Sequence, residues 1–187
     1  MKKSIKITAL TCLTAISLHS FAKSQSGIYL TASDYSNKKT ACETNCRVHP
    51  NNTIFNLPYI TVIDNNKREQ FKKSDIFGYV DGSNKVFRFY HNEAYQIAEA
   101  GNVIIYVQHE RNSQTKEYKV IDHYYFSTST GSEIMPLTLY NLKNAYRTNN
   151  KFPDLLDQFF NKGDVTAYDS VHSTFRINYI FSKAKKE

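Results

Sequence analysis

Three runs near the middle of the chain are rich in Val, Ile, Phe and Tyr, residues that suit a pleated, half-buried surface. Polar stretches containing Gly, Asn or several charged residues precede each run and separate it from the next. Short hydrophobic runs joined by short polar connections predict the strands of an antiparallel meander. The predicted strands are Lys85–His91, Val103–His109 and Tyr118–Ser127.

Shorter hydrophobic runs predict four further strands, which are Gly27–Thr31, Tyr59–Ile63, Ser74–Val80 and Ala94–Ala98. The sequence Asn65-Asn66-Lys67 predicts a turn after the second of them. Ser33 or Asp34 is expected to cap a single helical turn. Residues 36–56 are polar and Asn-rich, and we predict that they form a long loop.

After residue 136 the apolar positions recur with a helical period. Leu142 and Tyr146 share one face of a predicted helix, and Thr138 is its expected N-cap. A second helix is predicted over Phe152–Lys162, where Pro153 suits the first helical position and Gly163 suits the end. Both helices are amphipathic, so each needs an apolar surface to cover.

The last hydrophobic run, Tyr168–Ser182, fits two periods. Alternate positions from Phe175 are apolar, as in a strand, whereas Asp169 near the start and lysines at the end favour a helix. We predict a helix, which makes residues 138–182 a helical C-terminal part. Strands first and helices last predict an α+β fold, with an antiparallel β-meander sheet and C-terminal helices packed on one face or end.

The first 22 residues have the pattern of a secretory signal. Three lysines precede an apolar run from Ile7 to Leu18, and small residues flank the expected cleavage after Ala22. The alternative is a membrane anchor, which fits less well because a spanning helix needs ~20 apolar residues and this run is shorter and contains several Thr and Ser; no later stretch is long and apolar enough to span a bilayer. We therefore expect an exported protein, periplasmic or extracellular, with residues 23–187 as a single mature domain.

Charge narrows the range of expected partners. The chain has 187 residues, 24 Lys and Arg, 17 Asp and Glu, and a formal net charge of +7. Cleavage after Ala22 would remove three of these lysines and no acidic residue, which lowers the formal charge to +4. The remaining Lys and Arg residues form no regular stripe, so we do not expect a nucleic-acid partner.

Two cysteines, Cys42 and Cys46, remain after the expected cleavage. Two nearby thiols in an exported protein predict a disulfide, which would stiffen the predicted loop. The alternatives are free thiols, or a metal held by these cysteines and His49, although this spacing matches no strong zinc pattern. A covalent haem attachment is excluded because the chain has no C-x-x-C-H motif.

Short segments spread over most of the mature chain resemble a group of small exported proteins from Bacteroidetes-type bacteria. The resemblance implies export and one compact domain, and it implies no activity or site. The Cys42–Cys46 loop is not a feature of that group. The segments are Ser26–Thr31, Tyr124–Ser127, Pro136–Thr138 with Asn141–Lys143, Phe152–Phe160, and Tyr168-Asp169.

The spacing patterns of common active sites are missing from the sequence. The histidines of the mature chain are His49, His91, His109, His123 and His172. No two of them have a metal-ligand spacing, and there is no G-x-S-x-G elbow or phosphate-binding Gly-rich loop. His109 and Glu110 should point to opposite faces of a strand. We predict no catalytic residue, no metal site and no cofactor.

Alternation along the meander places Tyr, His, Gln and Arg tips on one face of the sheet. Such a face suits recognition, because Tyr offers contact area at low entropy cost and Arg adds directed donors. The predicted binding residues are Arg88, Tyr90, Tyr106, Gln108, His123 and Tyr125. The alternative is that the C-terminal helices cover this face with Leu142, Leu156 and Phe160.

These observations favour an exported, non-enzymatic binding or interaction protein of the cell envelope or extracellular space. Its partner would be a protein, peptide or glycan of the envelope. A small hydrolase acting on envelope polymer is the first alternative, because a site can assemble from distant residues. A structural component of an envelope assembly is the second.

Overall fold

A computed structural model describes residues 26–42, 46–49, 56–112, 119–149, 151–160 and 163–185. The predicted signal, residues 1–22, lies outside these ranges, as does part of the predicted loop. None of the helices within the ranges is long and apolar enough to cross a bilayer.

The main element is a seven-stranded antiparallel sheet. Its strands, in spatial order, are β1 (Gly27–Tyr29), β5 (Gly78–Val80), β6 (Val86–Tyr90), β7 (Glu93–Ala100), β8 (Ile104–Asn112), β9 (Lys119–Ser127) and β10 (Met135–Pro136). Strands β5 to β10 are neighbours in both sequence and space. The predicted meander and the α+β class are therefore confirmed.

Tight turns made by residues with positive φ set the register of the meander. His91 and Asn92 have φ of 47° and 68° and join β6 to β7 as a two-residue hairpin. Before β6, the Asp81 carboxylate accepts the backbone N–H groups of Ser83 and Lys85, at 2.8 and 2.9 Å. These local bonds fix which side chains of β6 face each side of the sheet.

A second sheet has three strands: β2 (Arg47–His49), β3 (Tyr59–Asp64) and β4 (Lys67–Lys72). Asn65 and Asn66, both at positive φ, form the predicted turn between β3 and β4. The loop prediction for residues 36–56 was wrong at β2. Strand β4 was not predicted, because a charged, exposed edge strand carries no hydrophobic alternation.

Two elements near these sheets differ from their predictions. The predicted strand Ser74–Val80 is a strand only over Gly78–Val80, because Lys73–Asp75 forms a 3-10 turn. The helical turn predicted near Ser33 is helix α1 (Ala32–Ser36). Its cap is Thr31, whose hydroxyl accepts the N–H of Asp34 at 3.0 Å.

The cysteines form the predicted disulfide, Cys42–Cys46. Both are buried against a hydrophobic cluster that includes Ile28, Ile60 and Val62. The bridge therefore pins the start of the small sheet onto the core, and the metal alternative with His49 is wrong.

The C-terminal part contains α2 (Leu139–Ala145) and α3 (Phe152–Phe160) near the predicted positions. Thr138 caps α2 as expected, since its hydroxyl accepts the N–H of Asn141 at 3.1 Å. Helix α3 begins one residue before Pro153, and the Asn149 side chain accepts the N–H of Phe152 at 3.0 Å.

The single helix predicted over Tyr168–Ser182 was wrong in its first half. Strands β11 (Tyr168–Asp169) and β12 (Thr174–Phe175) form a small hairpin, and helix α4 follows at Arg176–Ala184. The Asp169 carboxylate accepts the N–H groups of Val171 and His172 and so turns the chain. That side chain favours a turn over a helix start here.

The helices pack on the sheet face that carries Ile105 and Phe126. Their buried residues form one cluster with that face, which is Val103, Ile105, Phe126, Leu137, Leu142, Phe152, Leu156, Phe160, Phe175, Ile177, Ile180 and Phe181. The alternative in which the helices cover the Tyr106 face is therefore wrong.

Asn178 joins α4 to the β7–β8 turn. Its side-chain oxygen accepts the N–H of Val103 at 2.8 Å, and its amide nitrogen donates to the Val103 carbonyl at 2.9 Å and to Glu99 at 2.7 Å. Asn178 is 6% exposed. A Cβ on Gly101 would lie 2.4 Å from its amide nitrogen, so glycine is required for this close approach.

Replacement of Asn178 by Leu should lower the free energy of unfolding by about 2–3 kcal/mol, because the buried N–H and C=O groups of Val103 lose this partner and Glu99 loses one of its donors. Urea unfolding of the mature protein measures this change. Asn144→Leu is the matched control, since Asn144 is exposed on α2. Equal unfolding midpoints for the two variants would contradict the role of Asn178.

Candidate functional site

A groove opens where β7 and β8 separate. The two strands pair from Ala100↔Ile104 to Gln96↔Val107 and no further, with a bulge between Ile97 and Glu99. On its other side β8 continues to pair with β9 as far as Asn112↔Lys119. A bulge bends a strand and increases its twist. The bulge between Ile97 and Glu99 therefore accounts for the divergence of β7 from β8 at this point.

The groove has an apolar floor. Tyr79 and Phe87, on adjacent strands, stack with ring centroids 4.7 Å apart and planes 9° apart. Ala94 and Val107 continue this surface. Burial raises the pKa of Tyr79, so its phenol keeps its proton. Phe87 and Ala94 are half-buried and form the accessible part of this floor, and the buried Tyr79 supports Phe87 from within, in a cavity of about 620 Å³.

The sides of the groove are polar. The Gln108 side chain spans the seam and donates to the Ala94 carbonyl at 3.3 Å. His123 Nε2 lies 2.8 Å from Glu110, and this pair is exposed. The remaining polar residues that line the groove are Asn56, Glu93, Gln96 and His109.

Beneath the groove a buried lysine holds its wall in place. Lys73 is 1% exposed, and its ammonium donates to the Asn56 side chain at 2.9 Å and to the Asn92 carbonyl at 3.3 Å. Asn56 in turn donates to Glu93. Burial lowers the pKa of Lys73, and the charge of Glu93 opposes this change. The network ties the end of the small sheet to the β6–β7 turn.

Two of the six predicted binding residues are internal. Arg88 is 5% exposed and Tyr106 is fully buried. Arg88 donates to the Tyr106 hydroxyl at 3.0 Å and to the Ser132 carbonyl at 2.7 Å. The Tyr106 hydroxyl also lies 2.8 Å from the Ser127 hydroxyl. These residues hold the 127–134 segment on the sheet and offer no accessible contact.

The other four predicted residues reach the surface to different degrees. Gln108, His123 and Tyr125 line the groove. Tyr90 is half-buried and stacks on His91, with ring centroids 4.1 Å apart. The structure therefore brings three of the six residues together and leaves their role in binding a prediction.

Sequence reasoning missed half of the groove because it assigned one face to recognition. Val107 and His109 point to one face of β8, and Gln108 and Glu110 point to the other. A groove along the open edge of a strand meets both faces. One sequence feature could have indicated the groove. The apolar run of β8 ends at Val107, and the residues that follow it are polar.

The histidines of the β8–β9 ribbon each pair with one carboxylate. His109 Nδ1 lies 2.6 Å from Asp122, and His123 pairs with Glu110 on the opposite face. As predicted, His109 and Glu110 point to opposite faces of the strand. Among the side chains that the structure describes, no group of three or more His, Cys, Asp or Glu could hold a metal ion.

A second hollow of about 880 Å³ lies near α1, between Tyr35, Val86 and Ile104. It is larger and more apolar than the groove. Its described lining includes Lys38 but no carboxylate or histidine. We therefore regard the groove, in which polar side chains surround an aromatic floor, as the better candidate site.

Arg88→Met should lower the free energy of unfolding by about 2–3 kcal/mol, because the Tyr106 hydroxyl and the Ser132 carbonyl lose a buried partner. Arg88→Lys should also destabilise, since an ammonium lacks the guanidinium fork. Arg68→Met, on the exposed strand β4, is the control. Thermal unfolding that leaves Arg88→Met as stable as the control would overturn this assignment.

No protein-family model matches the chain, and neither a curated protein nor a solved structure is significantly similar to it.

Proposed function

We propose that the protein is an exported, non-enzymatic binding protein of the cell envelope or extracellular space, and that the groove is its recognition site. The observation that carries the proposal is the composition of the groove. Phe87, which stacks on the buried Tyr79, forms its floor with Ala94, and amide, imidazole and carboxylate groups surround this floor. An apolar surface with a few directed polar groups is typical of binding sites.

The charge of the groove limits what it can bind. Glu93 and Glu110 line it, and no Lys or Arg is among its described lining residues. An anionic polymer would meet these exposed carboxylates, whereas the nearby Lys73 ammonium is buried and already bonded to Asn56 and Asn92, which disfavours nucleic acids and acidic glycans. A neutral or basic partner fits better.

The Cys42–Cys46 disulfide supports an extracytoplasmic location for this binding protein. Structural disulfides persist in oxidising compartments and are rare in the cytosol. The pattern of the first 22 residues supports the same location.

The hydrolase alternative has one observation in its favour, the two His–carboxylate pairs of the β8–β9 ribbon. Both pairs are exposed, with side-chain exposures of 42–68%. They lie on opposite faces of the ribbon, so they do not converge on one reacting atom. Binding without chemical change is the function that this arrangement supports better.

We expect His123→Ala to weaken ligand binding by about tenfold, because it removes the contact area and the hydrogen-bonding nitrogens of an imidazole that lines the groove. The probes are printed arrays of envelope glycans and of short peptides, followed by titration of each hit against the mature protein. His49→Ala is the matched control, because His49 is exposed on β2 and does not line the groove.

Two results would contradict the proposal. Binding that His123→Ala and Gln96→Ala both leave unchanged would remove the groove from recognition. Chemical conversion of a bound probe, detected by mass spectrometry, would favour the hydrolase. Arg88 and Tyr106 are unsuitable test positions, because their replacement alters the core.

A further inference from the structure

We infer that the groove binds an extended polypeptide segment, which adds to the sheet as a strand along the free edge of β8. This inference rests on the proposed function and names its ligand class. Four observations carry it: the open edge, the Gln108 bridge, the apolar floor and the acidic sides.

The open edge supplies backbone partners. The ladder between β7 and β8 ends at Gln96↔Val107, while residues 108–112 of β8 remain paired with β9. In an antiparallel strand, alternate residues direct their N–H and C=O groups to each side. Within the described residues, the backbone N–H and C=O groups of residues 108–112 that face the groove are not paired with β7. An incoming strand would satisfy them, as in other cases of strand addition.

Between β7 and β8, a side-chain amide takes the place of a backbone hydrogen bond: the Gln108 side chain bonds to the backbone of β7. Its side chain donates to the Ala94 carbonyl at 3.3 Å, a longer distance than most N–H···O bonds. A peptide N–H can make the same bond at a shorter distance. The side-chain amide is thus a replaceable partner for the β7 edge.

The two sides of an added strand would meet different surfaces. Its side chains alternate between faces. On one side they would contact Phe87 and Val107 of the apolar floor. On the other they would approach Glu110, which pairs with His123 through one oxygen and whose side chain is 68% exposed. Apolar residues alternating with Lys or Arg are therefore the pattern that fits.

The backbone requirement is tested with N-methylated peptides. Peptides selected from a random display library against the mature protein are synthesised and then N-methylated at one position at a time. Methylation at alternate positions should weaken binding by about tenfold or more, because each removes one ladder bond. Affinity that is unchanged by methylation at every position would overturn strand addition.

The charge requirement is tested with Glu110→Lys. This variant should bind the selected basic peptides about tenfold more weakly, and peptides with Lys and Arg replaced by Glu more tightly. Glu69→Lys, exposed on β4 and outside the groove lining, is the matched control. The same loss in both variants would indicate a general charge effect and contradict the assignment of Glu110.

A different outcome separates this inference from the proposed function. If an envelope glycan binds, and His123→Ala weakens it while selected peptides show no saturable binding, the groove remains the recognition site and the polypeptide ligand is wrong. If neither probe class responds to any groove variant, both proposals fail.

Discussion

The double-sided burial of β8 is the constraint on which the rest of the structure depends. Four consecutive residues, Ile104 to Val107, are each no more than 6% exposed. Since successive side chains of a strand point to opposite faces, both faces must be covered here. Helices α2 to α4 cover Ile105, and the Arg88 network with the 127–134 segment covers Tyr106. Where these covers end, β8 becomes polar and the groove begins.

The Arg88 network makes this covering specific as well as stable. A guanidinium buried beside Tyr106 is tolerated because Tyr106 and the Ser132 carbonyl accept its hydrogen bonds and aromatic rings surround it. Apolar side chains alone would allow the 127–134 segment several positions. Hydrogen bonds to the Ser132 carbonyl and among the Tyr106 and Ser127 hydroxyls select one position of the segment. They thereby also fix the path of the chain into β10.

Local sequence rules predicted the elements that depend mainly on neighbouring residues in the chain. The strands of the meander, the Thr138 cap and the turn at Asn65 follow from alternation, capping and positive φ. The rules failed where tertiary contacts decide. Strand β4 forms because β3 offers it a partner, and no hydrophobic pattern marks it. The chain turns after Asp169, where a helix was predicted, because the Asp169 carboxylate accepts two backbone N–H groups.

The candidate site was predicted only in part, for a related reason. Alternation gives the face of a side chain and not its depth, so Arg88 and Tyr106 looked like surface tips. Gln108, His123 and Tyr125 were recovered because they lie past the end of the buried segment. Glu93 and Tyr79 were missed because the groove depends on where two strands part, and a bulge sets that point.

The bond between Asn178 and Val103 bridges 75 residues of sequence. Contacts between residues so far apart in sequence form late in folding, because the loop between them must lose conformational entropy before the contact can stabilise the fold. While the chain emerges from a ribosome, the apolar sheet face around Ile105 is exposed to water until α4 has been made. A newly made chain would thus present an apolar strand for that interval, and aggregation would compete with folding there.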